Sequence, residues 1–190
     1  MDRRRFISVT ALAGAALDVR AQPAEPPPCG PTRTADVVYE PTPLAVVDTM
    51  LNMAAVNAND VVYDLGCGDG RIVIGAAKRG ATGTGVELNR DLIEWARANA
   101  IAERVVEKVK FLNQDLFTVD LSSASVVTLY LLPRLNLQLR PKLWKELKVG
   151  SRVVGNAFDM GDWRPDQVVT VPTRYRTAYL WIIKPEHKSA

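Results

Sequence analysis

VVYDLGCGDGRIVI, residues Val61 to Ile74, is an apolar run that ends in an acid (Asp64) and then passes through three glycines, Gly66, Gly68 and Gly70. An amphipathic run with helical spacing follows, and further on Glu87 closes a second apolar run, TGTGV. The pattern predicts a βαβ unit whose first turn lets a ligand lie against bare backbone. Glycine belongs there because a Cβ would block the approach or the φ > 0 turn. An acid at the tip of the second strand suits a ribose diol, whose two hydroxyls it can accept. A nucleoside is the expected ligand.

The dinucleotide fingerprint is G-x-G-x-x-G, with a pyrophosphate on the helix N-terminus. This loop reads G-x-G-x-G, with Asp64 before it and Asp69 inside it. Two carboxylates would repel a pyrophosphate and attract a cation. S-adenosylmethionine, with its ammonium and sulfonium, fits that charge. A dinucleotide site and a glycine turn that binds nothing remain as alternatives, and the second leaves both acids unexplained.

D-L-G-C-G-D-G, E-L-N (Glu87 to Asn89) and D-L-F (Asp115 to Phe117) resemble motifs of class I S-adenosylmethionine-dependent methyltransferases. Y-E-P-T-P (Tyr39 to Pro43), VVTLYLLP (Val126 to Pro133), LRPKLWKELKVGSRVV (Leu139 to Val154) and W-R-P (Trp163 to Pro165) are similar to a narrower group. That group holds broad-specificity archaeal and mitochondrial protein-lysine methyltransferases. The resemblance spans roughly residues 37–184. It implies that Asp64 and the Gly66, Cys67, Gly68 and Gly70 backbone hold the methionine end of the cofactor. It implies Glu87 for the ribose, with Leu88 and Asn89 beside it. It also implies Asp115 at the adenine amino group with Leu116 packing nearby, and Tyr39, Thr42 and Tyr130 around the reacting end.

Periodicity gives the rest of the fold. A helix is expected over 41–56, with Thr42 as N-cap and Pro43 in the first helical position. Strands are expected at 61–65, 82–86, 109–113, 125–131 and 152–157, and a closing hairpin at 167–172 and 177–184. Helices are expected after the glycine loop to about Arg79, from Asn89 to about Ala102, and over 133–147 with a break at Pro141. The result is one α/β domain, Rossmann-like and doubly wound. Its seven-stranded sheet is mostly parallel with one antiparallel strand.

The chain has 190 residues, 47% of them hydrophobic and 24% charged, as in a globular domain. The formal charge of +3 comes largely from residues 1–22, without which 20 basic residues face 19 acidic ones. No basic stripe points to nucleic acid. Residues 1–28 read as a signal-like segment and Pro-rich linker, and 29–190 as the methyltransferase domain. M-D-R-R-R-F, an apolar run and Val19/Ala21 resemble a twin-arginine export signal, which suggests a periplasmic location. A cytoplasmic enzyme with an untidy N-terminal extension is the alternative, and it sits better with a methyl donor made in the cytoplasm. The apolar run is too short for a permanent membrane anchor. Cys29 and Cys67 suggest no disulfide framework, and a single histidine, His187, gives no metal site.

The expected function is methyl transfer from S-adenosylmethionine to a protein lysine, since a lean domain leaves the strand ends open to a bulky substrate. A small-molecule acceptor, or a cofactor-binding module without turnover, are the other readings. A lysine must lose its proton before attack, and Tyr39 and Tyr130 are the candidates to line its channel. Core or rim packing is the plainer role for either tyrosine. Asp115 could equally be a helix cap, and Glu87 with Asn89 a turn and cap. L-Y-L-L-P (Leu129 to Pro133) stands where base-directed enzymes carry N-P-P-Y or D-P-P-Y, which argues against amino groups on bases. Relatives often show Ser-His after strand five, whereas this chain has Asn156-Ala157-Phe158-Asp159. A proton-accepting role there is then vacant or passes to Asp159.

Overall fold

The computed structural model of the chain describes residues 39–172 and 177–189. The signal-like segment, the linker and Cys29 lie outside the described residues. Seven strands form one sheet in the order β3-β2-β1-β4-β5-β7-β6. They are β1 (Val61–Leu65), β2 (Thr82–Glu87), β3 (Val109–Asn113), β4 (Val126–Leu129), β5 (Arg152–Asn156), β6 (Gln167–Thr170) and β7 (Thr177–Ile182). β1 pairs parallel with both β2 and β4, while β7 runs antiparallel to β5 and β6. The strand order reverses at β1/β4, so a crevice opens at the carboxyl ends of these strands, where such sheets bind ligands.

Side-chain alternation assigns the helices to two faces. Val62, Val126 and Val154 pack under α1 (Leu44–Met53), and α2 (Arg71–Lys78) continues that layer. α3 (Arg90–Ala102) joins it through Ile93, Ala96 and Ala100, which meet Val73 and Phe111. Leu65, Val127, Leu129 and Val153 face the other way, onto Leu135, Leu139 and Leu143 of α4 (Pro133–Glu146). Between β3 and β4 no helix forms. A coil carries Val119 and Leu121 into the second core instead. Among the described residues no helix is long and apolar enough to cross a membrane.

Two helix expectations need correction. α1 begins at Leu44, not Pro41, and its N-cap residue is Pro43, whose carbonyl accepts from Val46 N and Val47 N. Thr42 caps nothing. It is buried, and its carbonyl is taken by Arg71 at 2.8 Å. Pro141 does not break α4, which runs through it. The proline lies on the exposed side, as does Leu137, whose carbonyl loses the N–H partner that residue 141 would otherwise supply. Leu135, Leu139 and Leu143 continue the buried stripe across it.

Candidate functional site

β1 delivers Asp64 to the crevice with only 3% of its surface exposed. Its Oδ1 accepts a hydrogen bond from Thr128 Oγ1 on β4 at 2.7 Å. No cation among the described residues is paired with it. Burial raises its pKa to about 7; the Thr128 bond opposes that shift, and the charges of Asp69 and Glu87 add to it.

The glycine loop turns away from Asp64 through left-handed conformations. At Gly68 (φ +53°) a Cβ would come within 2.3 Å of Tyr39 Cε2. Tyr39 therefore lies on the loop, edge-on to Trp95 of α3, with ring centroids 5.8 Å apart. Its hydroxyl is buried beside Asp69 and Arg71, close enough to feel both charges but outside hydrogen-bonding geometry. Burial first, then Asp69, pushes the phenol well above its ordinary range.

Asp69 does not face the crevice with a free charge. Arg71 grips it through Nε at 2.9 Å and 3.1 Å and through Nη2 at 2.6 Å. The same guanidinium ties the loop to Thr42, and Asn99 Nδ2 donates to the Asp69 carbonyl at 3.0 Å. The charge available to a cationic ligand thus comes from Asp64 and Glu87. Cys67 points into the α3 core, and burial drives its thiol pKa well up, so only its backbone is placed near the crevice.

Glu87 sits half-buried at the tip of β2. Its Oε2 accepts from Gly68 N at 3.2 Å and its Oε1 from Asn89 N at 3.0 Å. Asn89 caps α3 by accepting from Asp91 N at 2.9 Å. Leu88 between them is 50% exposed, an apolar surface at the rim. After β3, Asp115 is exposed and its Oδ1 accepts from Phe117 N at 2.9 Å, the cap arrangement. Leu116 packs against the second core.

At the ends of β4 and β5, Tyr130 stacks on Phe158 with centroids 6.4 Å apart and planes inclined by 21°. Tyr39 and Tyr130 thus pack on different neighbours, one on the glycine loop and one on the turn after β5. Asp159 is exposed and accepts from Gly161 N, so it serves a turn. Trp163 braces this segment. It is buried, bridges to Met160, and accepts from Trp181 Nε1 at 2.8 Å. Thr128, Arg71 and Trp95 contact Asp64, Asp69 and Tyr39 and are residues that sequence reasoning misses. Thr128 alone had a local signal, a polar residue two positions before Tyr130 in an apolar strand. A groove of about 290 Å³, lined by Tyr63, Thr82, Thr84, Lys108, Lys110 and Ser123 among others, opens towards the starts of the strands, away from these groups.

The family model of the ANTKMT methyltransferase domain matches residues 64–167. A protein-lysine N-methyltransferase of Saccharolobus islandicus (strain REY15A) is 46% identical over 156 residues, 80% of this chain and 96% of that protein. A human lysine N-methyltransferase named for its ATP synthase target is 38% identical over 130 residues, 68% of this chain. The match takes in 55% of the human protein, so the chain spans about half of that relative's length. A crystal structure of an RNA methyltransferase from Salinibacter ruber with S-adenosyl-L-homocysteine is 50% identical, with a TM-score of 0.74. It covers 77% of this chain and 95% of its own.

Proposed function

The chain belongs to the ANTKMT methyltransferase family, and we propose that it carries the methyl group of S-adenosylmethionine to the ε-amine of a protein lysine. The observation that carries this reading is the 46% identity to a protein-lysine methyltransferase across nearly that protein's whole length. The geometry agrees with it. Asp64 is a buried carboxylate with no paired cation among the described residues, Glu87 is fixed at a strand tip, and Leu88 offers an apolar rim, a set that fits a cationic nucleoside. Bound there, S-adenosylmethionine supplies a methyl group on an excellent leaving group, a sulfonium.

The residues of this chain do the remaining work. Asp64 takes the ammonium and the glycine-loop backbone, including Cys67, lies along the methionine end. Glu87, already oriented by the Gly68 and Asn89 amides, accepts the ribose hydroxyls. Leu88 and Leu116 flank the base, and Asp115 accepts its amino group with the oxygen lone pairs its turn leaves over. Tyr39, beside Asp69 and Arg71, covers the loop, and Arg71 ties Thr42 to the same loop. The buried phenol of Tyr39, held protonated, removes no proton, so the ring and not the hydroxyl is the part that covers the loop. Tyr130 and Phe158 form an aromatic wall that desolvates the incoming amine, which must arrive neutral to attack. The catalytic unit of this reading is residues 29–190, with 1–28 a signal-like segment and Pro-rich linker before it.

The Salinibacter neighbour supports a second reading, methylation of RNA. L-Y-L-L-P in place of a base-gripping motif, and the near-neutral charge outside residues 1–22, favour the lysine. Purified chain with tritiated methyl donor, offered separately a lysine-rich protein panel, total RNA and a metabolite mixture, decides. Label on lysine in acid hydrolysates supports the proposal. Label in RNA or metabolites alone overturns it, and binding without label anywhere identifies a module without turnover.

A further inference from the structure

Asn156 ends β5 and is 1% exposed, yet neither its side-chain nitrogen nor its oxygen has a hydrogen-bond partner among the described residues. A buried carboxamide unsatisfied at both ends is costly, and such groups call for a functional reason. Alternation along β5 shows where it points. Arg152 reaches the Ala54 carbonyl at the end of α1, and Val154 lies in the α1 core. Asn156 therefore projects to the same face, which on the neighbouring strands is that of Thr128 and Asp64.

The register pairs Leu129 with Gly155, so one step further Tyr130, just past β4, comes beside Asn156, the last residue of β5, which still pairs with Ala178 of β7. The chain then turns at once. Ala157 takes φ +66°, Phe158 N donates to the Asn156 carbonyl at 2.8 Å, and the Phe158 ring meets Tyr130. Asn136 of α4 holds this turn from behind, donating to the carbonyls of Phe158 and Asp159 at 3.4 Å and 3.2 Å. A non-glycine residue at positive φ is strain that this packing maintains. Its effect is to keep the carboxamide, unpaired, at the crevice edge beside the aromatic wall.

We propose that Asn156 positions the methyl-accepting amine, its side-chain oxygen accepting an N–H so that the nitrogen lone pair faces the cofactor. The inference rests on the amine-acceptor reading above. A carboxamide suits the task because it is neutral. A carboxylate would favour the ammonium, which has no lone pair to attack with. The amine nitrogen gains the methyl while the sulfonium becomes a neutral thioether, and the methylammonium formed releases its proton to water.

The full chain, saturated with S-adenosylhomocysteine, is titrated with n-butylamine as a lysine side-chain probe while asparagine side-chain amides are followed by NMR. Asn156→Ala assigns the Asn156 signal. A saturable shift of that signal is expected, and an unmoved signal overturns the proposal. With poly-L-lysine as acceptor, Asn156→Ala is expected to lower kcat at least about tenfold. Its S-adenosylhomocysteine affinity should stay within about twofold, and its Tm should hold or rise, since an unpaired amide is removed. Asn156→Asp is expected to move the kcat profile to higher pH by raising the bound amine's pKa. Unaltered turnover in Asn156→Ala, or loss of Tm and cofactor affinity together, overturns the positioning role. If n-butylamine shifts Asn156 but the wild type labels no lysine, the protein-lysine reading falls and the amine-positioning role stands.

Discussion

The ring of Tyr39 rests on Gly68 so closely that a methyl group at Gly68 would lie 2.3 Å from Tyr39 Cε2. Gly68 also donates its amide to Glu87, so one residue ties the covering tyrosine to the tip of β2. Gly68→Ala should displace Tyr39 and strain a left-handed position at a cost of about 1 kcal/mol. Calorimetry should show S-adenosylhomocysteine affinity falling about tenfold or more. Tyr39→Phe should leave affinity and Tm nearly unchanged, because the buried hydroxyl makes no well-formed hydrogen bond. A large loss in Tyr39→Phe would show that the phenol itself contacts the ligand.

With Asp64 as the proposed ammonium site, cofactor binding should depend on pH. Its folded-state pKa, about 7, lies above the ordinary carboxylate value because burial penalises the charge. Stability tied to this group is therefore full at low pH and is lost as pH rises from about 4 towards 7. An ammonium ligand reverses the penalty, so S-adenosylhomocysteine should bind more tightly at pH 8 than at pH 6, releasing a proton near neutrality. Calorimetry in buffers of different ionisation heat measures that release. Asp64→Asn should bind weakly at every pH, with no proton release, and its Tm should gain on the wild type as pH rises. A wild type whose affinity is flat across this range would remove Asp64 from the ammonium site.

Pro141 sits inside a continuous α4 on the exposed side. Pro141→Ala should restore an N–H for the Leu137 carbonyl without touching the buried Leu139 and Leu143. Stability should rise by about 1–3 kcal/mol, visible as a higher Tm, with cofactor affinity unchanged. A fall in Tm would mean that the proline ring fits a contact that alanine cannot replace.

The strands were legible because their boundaries are local. Turn residues bracket β1 and β3, whose limits the periodicity places at Val61–Leu65 and Val109–Asn113 as found. Glu87 and Asn89 were legible as a tip and a cap for the same reason. What escaped depends on distant partners. Thr42 looks like an N-cap until Arg71, 29 positions on, takes its carbonyl. Asp69 looks like a ligand-facing charge until the same arginine neutralises it. Asp64 and Thr128 are 64 positions apart, joined only by sheet pairing. Pro141 looks like a break because propensity cannot see that its side of the helix faces solvent.

Glu87 separates a structural from a binding role at the β2 tip. Its two oxygens accept from two backbone amides, Gly68 and Asn89. In Glu87→Gln one side-chain oxygen remains, and the new NH2 must face one of those N–H donors. One of the two bonds is lost, at a cost to stability of about 1 kcal/mol, or a Tm fall of roughly 2–4 °C. If Glu87 also accepts the ribose hydroxyls, S-adenosylhomocysteine affinity should fall about tenfold or more, beyond what the loosened tip explains. Affinity for free homocysteine, which has no ribose, supplies the control and should fall only as far as the tip movement requires. Equal losses for both ligands would reduce Glu87 to a brace between the glycine loop and α3.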